Sequence, residues 1–296
     1  MTMRAPTSGP GECSLWFLAM TPEGERFGLK ENLPIDRLVS EADPFRLAIG
    51  DAVLTDIGCT GHMGNAAWDL TWEPRLPAAE PVHPVLRGIA RTLFSVPHPD
   101  VQISGTVAYD GRTLELDKVQ GNQAHLYGSQ HSERWAWTHC NDFATPDGEP
   151  VRDTFFEGVS VFVPRFGRPE MGPNTPIVAR IRGEDMAFRG PVAVTRTESR
   201  FDLTTWHTEP SNRTHKLVAE VAAPRDTLVG VTYHDPDGRE AYCYNSEVAS
   251  MRLHVWERAG RGRNGWKLRE TLVSDGRTHF EHGLRAKIDG MELHTT

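Results

Sequence analysis

Residues 125–143 read HLYGSQHSERWAWTHCNDF, and this stretch carries the strongest indication of the fold and of a functional site. Successive side chains of a β-strand point to opposite faces. If the stretch is a strand, one face presents two indoles, an imidazole and an amide, from Trp135, Trp137, His139 and Asn141. Aromatic surfaces beside a few hydrogen-bonding groups are typical of a ligand pocket, and ordinary buried packing is the alternative.

The opposite face of this strand carries the more reactive side chains, Cys140 and Asp142. Because neighbouring residues point to opposite sides, His139 and Cys140 are not placed to form a hydrogen-bonded nucleophile pair. Gly128-Ser129-Gln130 is not a Gly-x-Ser-x-Gly nucleophile elbow. The local pattern therefore argues against a cysteine or serine hydrolase.

The composition is that of a globular protein with a sizeable core. The chain has 296 residues, of which 38% are hydrophobic and 24% charged, and its net charge is −8. It has no run of Lys or Arg, so we expect no binding to nucleic acid or to an anionic membrane surface. No segment reaches the ~20 apolar residues of a transmembrane helix, and the N-terminus lacks the apolar region of a signal peptide. We expect a cytoplasmic protein. The sequence does not determine its oligomeric state.

The cysteines and histidines give no specific metal signature. The four cysteines stand far apart and form no CxxC pair, so reduced thiols are expected rather than a structural zinc site. The thirteen histidines form no HExxH pattern, and their spacing leaves a metal site possible but unspecified. We predict no metal and no cofactor.

Short alternating runs bounded by turn residues predict an all-β protein. Asp110-Gly111 predicts a tight hairpin, and Pro236-Asp237-Gly238 and Asp289-Gly290 predict further turns. Only residues 35–40 and 84–93 could form a short helix. Strands separated in this way are typical of sandwiches and barrels.

The organisation along the chain predicts two β-domains, residues 1–187 and 188–296. Residues 191–206, PVAVTRTESRFDLTTW, are predicted to contain strand structure. The Pro- and Gly-rich segment 164–176 is predicted as a loop, and the basic segment 261–265 as a hairpin loop.

Residues 121–143 also resemble a motif of the tocopherol cyclase / carotenoid 1,2-hydratase superfamily, which includes AttH-like proteins. The elements that carry the resemblance are Tyr127-Gly128, Trp135-Ala136-Trp137, His139-Cys140-Asn141 and Phe143. Residues 61–72, GHMGNAAWDLTW, and 234–249, HDPDGREAYCYNSEVA, resemble two further motifs of the group in the same order.

This resemblance implies two lipocalin-like, calycin-type antiparallel β-barrels or sandwiches packed in tandem, with a hydrophobic pocket near their interface. Enzymes of the group protonate an isoprenoid or polyene double bond, or fold a polyene for cyclisation, generally without a metal or organic cofactor. The chain lacks the Asp-His-Asn-Trp-type motif of the hydratase branch, and Tyr127-Gly128 stands where the cyclase branch has Trp-Gly. The reaction and the substrate therefore stay open.

Protonation of an alkene needs an acid that burial keeps protonated, and aromatic faces that stabilise the resulting cation. The predicted catalytic residues are His139, Asp142, Glu157 and Glu247. Asp69 is a fourth carboxylate that could serve as the acid. The predicted substrate-binding residues are Trp68, His125, Tyr127, Trp135, Trp137, Asn141 and Tyr244.

Three functions are compatible with the sequence. The first is a terpenoid or polyene cyclase, hydratase (a lyase) or isomerase, whose partner is a hydrophobic small molecule. The second is a non-catalytic carrier of a hydrophobic ligand, as lipocalin-like barrels can be. The third is an interaction protein in which the Trp-rich motif only joins two barrels.

Overall fold

A computed structural model describes residues 1–88, 90–165, 168–260 and 265–295. Side chains are described for all of these residues except 164–171. Strands dominate these residues. They are β1 Thr2–Arg4, β2 Glu12–Met20, β3 Arg26–Pro34, β4 Leu38–Ala42, β5 Phe45–Ile49, β6 Ala52–Thr55, β7 Gly58–Met63, β8 Ala66–Pro74, β9 Thr92–Tyr109, β10 Arg112–Gly128, β11 Arg134–Cys140, β12 Phe143–Ala144, β13 Pro150–Val151, β14 Phe155–Arg165, β15 Arg168–Asn174, β16 Ile177–Ile181, β17 Glu184–Phe188, β18 Glu198–Phe201, β19 Thr205–Glu209, β20 His215–Ala222, β21 Val229–His234, β22 Glu240–Arg258, β23 Trp266–Leu284 and β24 Leu293–Thr295.

The strands form three sheets. The first is β1-β2-β3, the second has seven strands in the order β10-β9-β8-β7-β6-β5-β4, and the third has fourteen strands. The main path of the third sheet is β17-β16-β14-β11-β23-β22-β20-β19-β18. Pairing is antiparallel except between β21 and β24, which are parallel. The predicted all-β, antiparallel fold class is confirmed.

The predicted turns are present where the sequence places them. Asp110 and Gly111 join β9 to β10 with φ angles of 49° and 73°, the left-handed conformations that a two-residue hairpin requires. Gly238, with φ of 84°, closes the turn between β21 and β22. Gly290, with φ of 74°, closes the turn that precedes β24.

Two local predictions are wrong. Residues Pro191–Arg196, predicted as strand, form the helix α1, because Pro191 occupies its first turn, where the missing N–H costs nothing. The segment 164–176, predicted as a loop, contains β15, which pairs with β14. The predicted loop at 261–265 lies largely outside the described residues.

Helical structure elsewhere is short. The 3₁₀ turns Ile35–Arg37 and Pro84–Leu86 fall in the two segments predicted to be helical, and a third spans Arg225–Thr227. Among the described residues, no helix is long and apolar enough to cross a membrane.

The division of the chain at residues 187 and 188 stays a prediction. The sheets group the strands differently, since β1 to β10 form the first two sheets and β11 to β24 form the third. In the third sheet β11 pairs with β14, before the predicted boundary, and with β23, after it.

Strand β11 lies where the three sheets meet. Ala136 and Cys140 point into the largest core, formed by the third sheet. Trp135 packs in a second cluster with Trp16 and Leu18 of β2 and Val231 of β21. Trp137 also contacts a cluster that includes Phe94 of β9 and Phe155 of β14. The aromatic face of β11 is therefore directed at the junction between the sheets.

Candidate functional site

The two faces of β11 follow the alternation of the sequence. Ala136, Thr138 and Cys140 are fully or almost fully buried on the core side. Trp135, Trp137 and His139 lie on the other side, at the sheet junction. The flanking strands β14 and β23 place their own polar side chains on this second face, because their registers align them with β11.

Glu157 is the buried carboxylate of the site. It is 0% exposed and stands opposite His139 in the β11–β14 register. Its Oε2 lies 2.7 Å from His139 Nδ1, and its Oε1 accepts a hydrogen bond from the Trp137 indole N–H. Burial raises the pKa of Glu157 above its ordinary value, although the bonds from His139 and Trp137 oppose this rise. Glu157 can therefore hold a proton at a pH where an exposed Glu cannot.

A second Glu–His pair lies beside the first. His279 of β23 is the register partner of His139, and its Nδ1 is 2.7 Å from Glu247 Oε1. Burial would lower the pKa of His279, but Glu247, Glu281 and Glu157 outweigh it and raise that pKa to about 9. The pKa of Glu247, whose side chain is 58% exposed, is lowered because His279 outweighs its partial desolvation.

Glu281 joins Trp135 to this arrangement. The Trp135 indole N–H donates to Glu281 Oε1 at 2.5 Å, and Glu281 Oε2 lies 4.0 Å from His279 Nε2. The Trp137 and His279 rings approach to 4.2 Å between centroids. We call the set of Trp135, Trp137, His139, Glu157, Glu247, His279 and Glu281 the Trp–His–Glu network.

Two imidazole nitrogens in the network are buried without a hydrogen-bond partner. They are Nε2 of His139 and Nε2 of His279. Each ring uses Nδ1 for its carboxylate, which fixes the ring and leaves Nε2 available to a substrate group or to a water molecule. These two nitrogens can therefore act as proton donors or acceptors at the sheet junction.

Three of the residues predicted from the sequence lie elsewhere. Asp142 lies two residues after the end of β11 and pairs at 2.7 Å with Arg277, which is 70% exposed. Tyr244 is fully buried in the large core, and its hydroxyl accepts a bond from the Ile288 N–H. Trp68 packs against Phe17 in a core that involves β2, β5 and β8.

His125 and Tyr127 are also outside the network. Their rings stack on each other at 5.3 Å on the exposed end of β10, and Tyr127 is 48% exposed. Asn141 is buried nearby and donates to Gly121 O, Pro99 O and Asp100 Oδ1. It ties β11 to β9 and β10. The roles assigned to all these residues stay predictions.

Two network members, His279 and Glu281, were not predicted. They lie in THFEHG, residues 278–283, which alternates as 135–141 does and carries His279, Glu281 and Gly283 on one face. That alternation was the available signal. Whether these side chains share a sheet face with Trp135 and His139 depends on the pairing of β11 with β23, more than a hundred residues away. Local sequence does not specify that pairing.

A separate Asp–His pair stands at the edge of the network. Asp235, 1% exposed, binds His131 Nδ1 at 2.6 Å and Arg285 at 2.7 Å. The His131 ring lies between those of Trp135 and Tyr233, at 5.5 and 5.0 Å. This cluster holds the segment before β11 against the turn after β21.

Among the described residues, no group of three or more His, Cys, Asp or Glu side chains is arranged to hold a metal ion.

Comparison with known proteins bears on the fold. The crystal structure of a candidate AttH protein from Nitrosomonas europaea matches 96% of this chain and 85% of its own, with a TM-score of 0.55 and 11% sequence identity. The fold is AttH-like. The similarity concerns the fold alone, and the cyclase and hydratase parts of the resemblance stay predictions.

Sequence comparison gives relatives without a stated activity. An uncharacterized protein of Mycobacterium tuberculosis, present in strains CDC 1551 and H37Rv, is 27% identical over 283 residues, which cover 91% of this chain and 80% of that protein. No protein-family model matches the chain.

Proposed function

We propose that this AttH-like protein is a cofactor-independent cyclase, hydratase or isomerase acting on a hydrophobic isoprenoid or polyene. The observation that carries the proposal is Glu157, a fully buried carboxylate bonded by His139 and Trp137 at a junction of sheets. A carboxyl group held protonated by burial is the acid that alkene chemistry requires.

In the proposed reaction Glu157 donates its proton to one carbon of a double bond. The alkene electron pair forms the new C–H bond, the neighbouring carbon becomes a cation, and Glu157 becomes a carboxylate. The partly exposed ring of Trp137 stabilises this cation by cation–π attraction, worth roughly 0.5–2 kcal/mol. Its indole N–H is held by Glu157, so the ring keeps one orientation.

The fate of the cation decides the class of reaction. Loss of a proton to Glu157 or to Nε2 of His139 gives an isomer, or a cyclic product if a second double bond has first attacked the cation. Attack by water gives an alcohol after that water releases a proton, which restores the acid. The second pair, His279 with Glu247, reaches solvent through Glu247 and supports proton exchange with the medium.

Carriage of a hydrophobic ligand without chemistry is the second candidate. It is favoured by the burial of Trp135, His139 and Glu157, because the Trp135 indole N–H is bonded to Glu281 and His139 is bonded to Glu157. In this case the network would serve to hold the sheets together beside an apolar ligand, and the ligand would leave unchanged.

The test combines ligand identification with isotope transfer. Native mass spectrometry and extraction identify any lipid that accompanies the purified chain, and that lipid or an acyclic isoprenoid is incubated with the protein in D₂O. We expect deuterium at carbon in the product with the wild type and with Asp142→Asn, and at least a hundredfold less with Glu157→Gln. Unchanged ligand recovered from all three proteins would establish carriage, and equal deuteration by Glu157→Gln would exclude Glu157 as the acid.

A further inference from the structure

Two surface cavities meet at Lys118. The first, which we call the trough, has a volume of about 390 Å³ and lies over β8, β9 and β10, with Ile57, Trp72 and Pro74 as its apolar lining. The second, which we call the cleft, has a volume of about 220 Å³ and opens between β9–β10 and the segment that follows β11. Lys118 and Gln102 line both, so the two cavities adjoin.

Two of the three carboxylates of the cleft already face cations. Asp100 lies 3.8 Å from Arg75 and accepts a bond from Asn141, and Asp142 pairs with Arg277. Burial is the main cause of a raised pKa at Asp100, and the third carboxylate, Asp153, adds to that rise through its charge.

Two cations of the cleft have no such partner. Within the described residues, neither Lys118 nor Arg152 has a carboxylate within the 4.0 Å of an ion pair, and both are exposed. The amide side chains of Gln102 and Gln120 line the same cleft, and Gln120 Nε2 donates to the Asn141 carbonyl. The cleft therefore offers two positive charges and the Gln102 amide to an incoming anion.

The backbone holds Lys118 at the junction of the cavities. Lys118 has φ of 52°, in the left-handed region, at an irregularity of the β9–β10 ladder between Leu116 and Val119. Its N–H donates to Ser104 Oγ at 3.1 Å instead of to the ladder. A bulge re-aims the side chain of the extra residue, and this one sits where the apolar trough becomes the polar cleft.

We propose that the cleft and the trough together bind an amphipathic anion. Its carboxylate or phosphate head lies between Lys118 and Arg152, and its apolar tail runs along Ile57 and Trp72. The trough alone falls within the roughly 300–1,000 Å³ of small-molecule sites. The site is distinct from the Trp–His–Glu network and does not rest on the proposed function.

Isothermal titration calorimetry of the full chain tests the proposal. The probes are acetate and inorganic phosphate (head only), octanol (tail only), and octanoate and octyl phosphate (head and tail). We expect octanoate or octyl phosphate to bind at least tenfold more tightly than each part alone, and the tighter of the two identifies the head group.

Variants locate the binding. The double variant Lys118→Asn, Arg152→Gln should bind octanoate at least tenfold more weakly. Asn is chosen at 118 because it tolerates the left-handed backbone conformation there. Arg213→Gln with Lys267→Gln, which removes two exposed cations away from both cavities, should have no effect. Ile57→Asp should weaken octanoate and leave acetate unchanged. Circular dichroism confirms folding of each variant. Equal affinity for acetate and octanoate, no binding of any probe, or full affinity in the cation variant would each overturn the proposal.

Discussion

Gly283 lies directly beneath the indole ring of Trp135, so closely that a Cβ atom at Gly283 would fall 2.0 Å from Cε2 and Cζ2 of the ring. The two residues are register partners on β23 and β11. The absence of a side chain at Gly283 is therefore what allows Trp135 to lie on the sheet and to reach Glu281 with its N–H.

Gly283→Ala should displace Trp135 and destabilise the protein by about 1–3 kcal/mol, the usual cost of overpacking. Urea unfolding followed by indole fluorescence measures this. Combining Gly283→Ala with Trp135→Ala should recover most of the cost of the glycine substitution, because the clash is gone. Gly88→Ala, where a Cβ meets nothing within 4 Å, is the control. Additive effects in the double variant would mean that the two residues do not share one space.

Glu157→Gln should change how stability depends on pH. Burial raises the pKa of Glu157 above its ordinary 4.5, so the folded chain keeps a proton that the unfolded chain loses. Wild-type stability should therefore fall as pH rises above 4.5 towards the raised pKa, and Glu157→Gln should remove this fall. Urea midpoints across that range test it, with the exposed Glu115→Gln as control. A parallel pH dependence in Glu157→Gln would show that Glu157 titrates normally.

The positions of the site residues could be predicted only where they follow from alternation within a single strand. Alternation in 135–141 correctly separated Trp135, Trp137 and His139 from Cys140, because period-two geometry holds inside any strand. It did not apply to Asp142, since β11 ends at Cys140 and the carboxylate turns out to Arg277. Nor did it identify the face of Tyr244: its neighbour Asn245 is the register partner of Glu281, whereas Tyr244 points into the large core.

The fold shows the same limit. The Asp110-Gly111 hairpin was predictable because the turn chemistry lies within the turn itself. Residues 191–196 contain Val192, Val194 and Thr195, which favour strands, yet Gly190 and Pro191 begin a helix there. The pairing of β11 with β23, which brings His279 and Glu281 to the site, depends on register over a long sequence separation.

The His279–Glu247 pair should stabilise the fold below neutral pH. The pKa of His279 rises from an ordinary 6.5 to about 9 because the nearby carboxylates outweigh burial. Its contribution is therefore complete below 6.5 and is lost as pH rises through about 9. One pKa unit corresponds to ~1.4 kcal/mol, so the contribution is at most about 3.5 kcal/mol and is reduced by solvent screening at the exposed Glu247.

NMR titration of the imidazole and urea midpoints between pH 6 and pH 10 measure this contribution. His279→Gln and Glu247→Gln should each flatten the curve, whereas His234→Gln, outside the network, should not. The assignment fails if His279 titrates below pH 7 in the folded protein.

Asp235 should protect the fold against acid. Burial acts to raise its pKa, but hydrogen bonds from His131 and Arg285 outweigh that effect and lower the pKa to about 2. A depressed pKa stabilises the folded state above the ordinary value of 3.8, and this stability is lost as pH falls through about 2. The shift corresponds to about 2 kcal/mol.

Asp235→Asn should therefore lower the free energy of unfolding at pH 7 and shift the midpoint of acid unfolding to higher pH. It should also release His131 from between Trp135 and Tyr233, because the imidazole loses the carboxylate that orients it. Indole fluorescence during an acid titration reports both effects. Asp237→Asn changes an exposed carboxylate of the same turn and should alter the acid midpoint far less. Equal acid midpoints for the wild type and Asp235→Asn would mean that Asp235 contributes nothing through its charge, and that its contact with His131 serves packing alone.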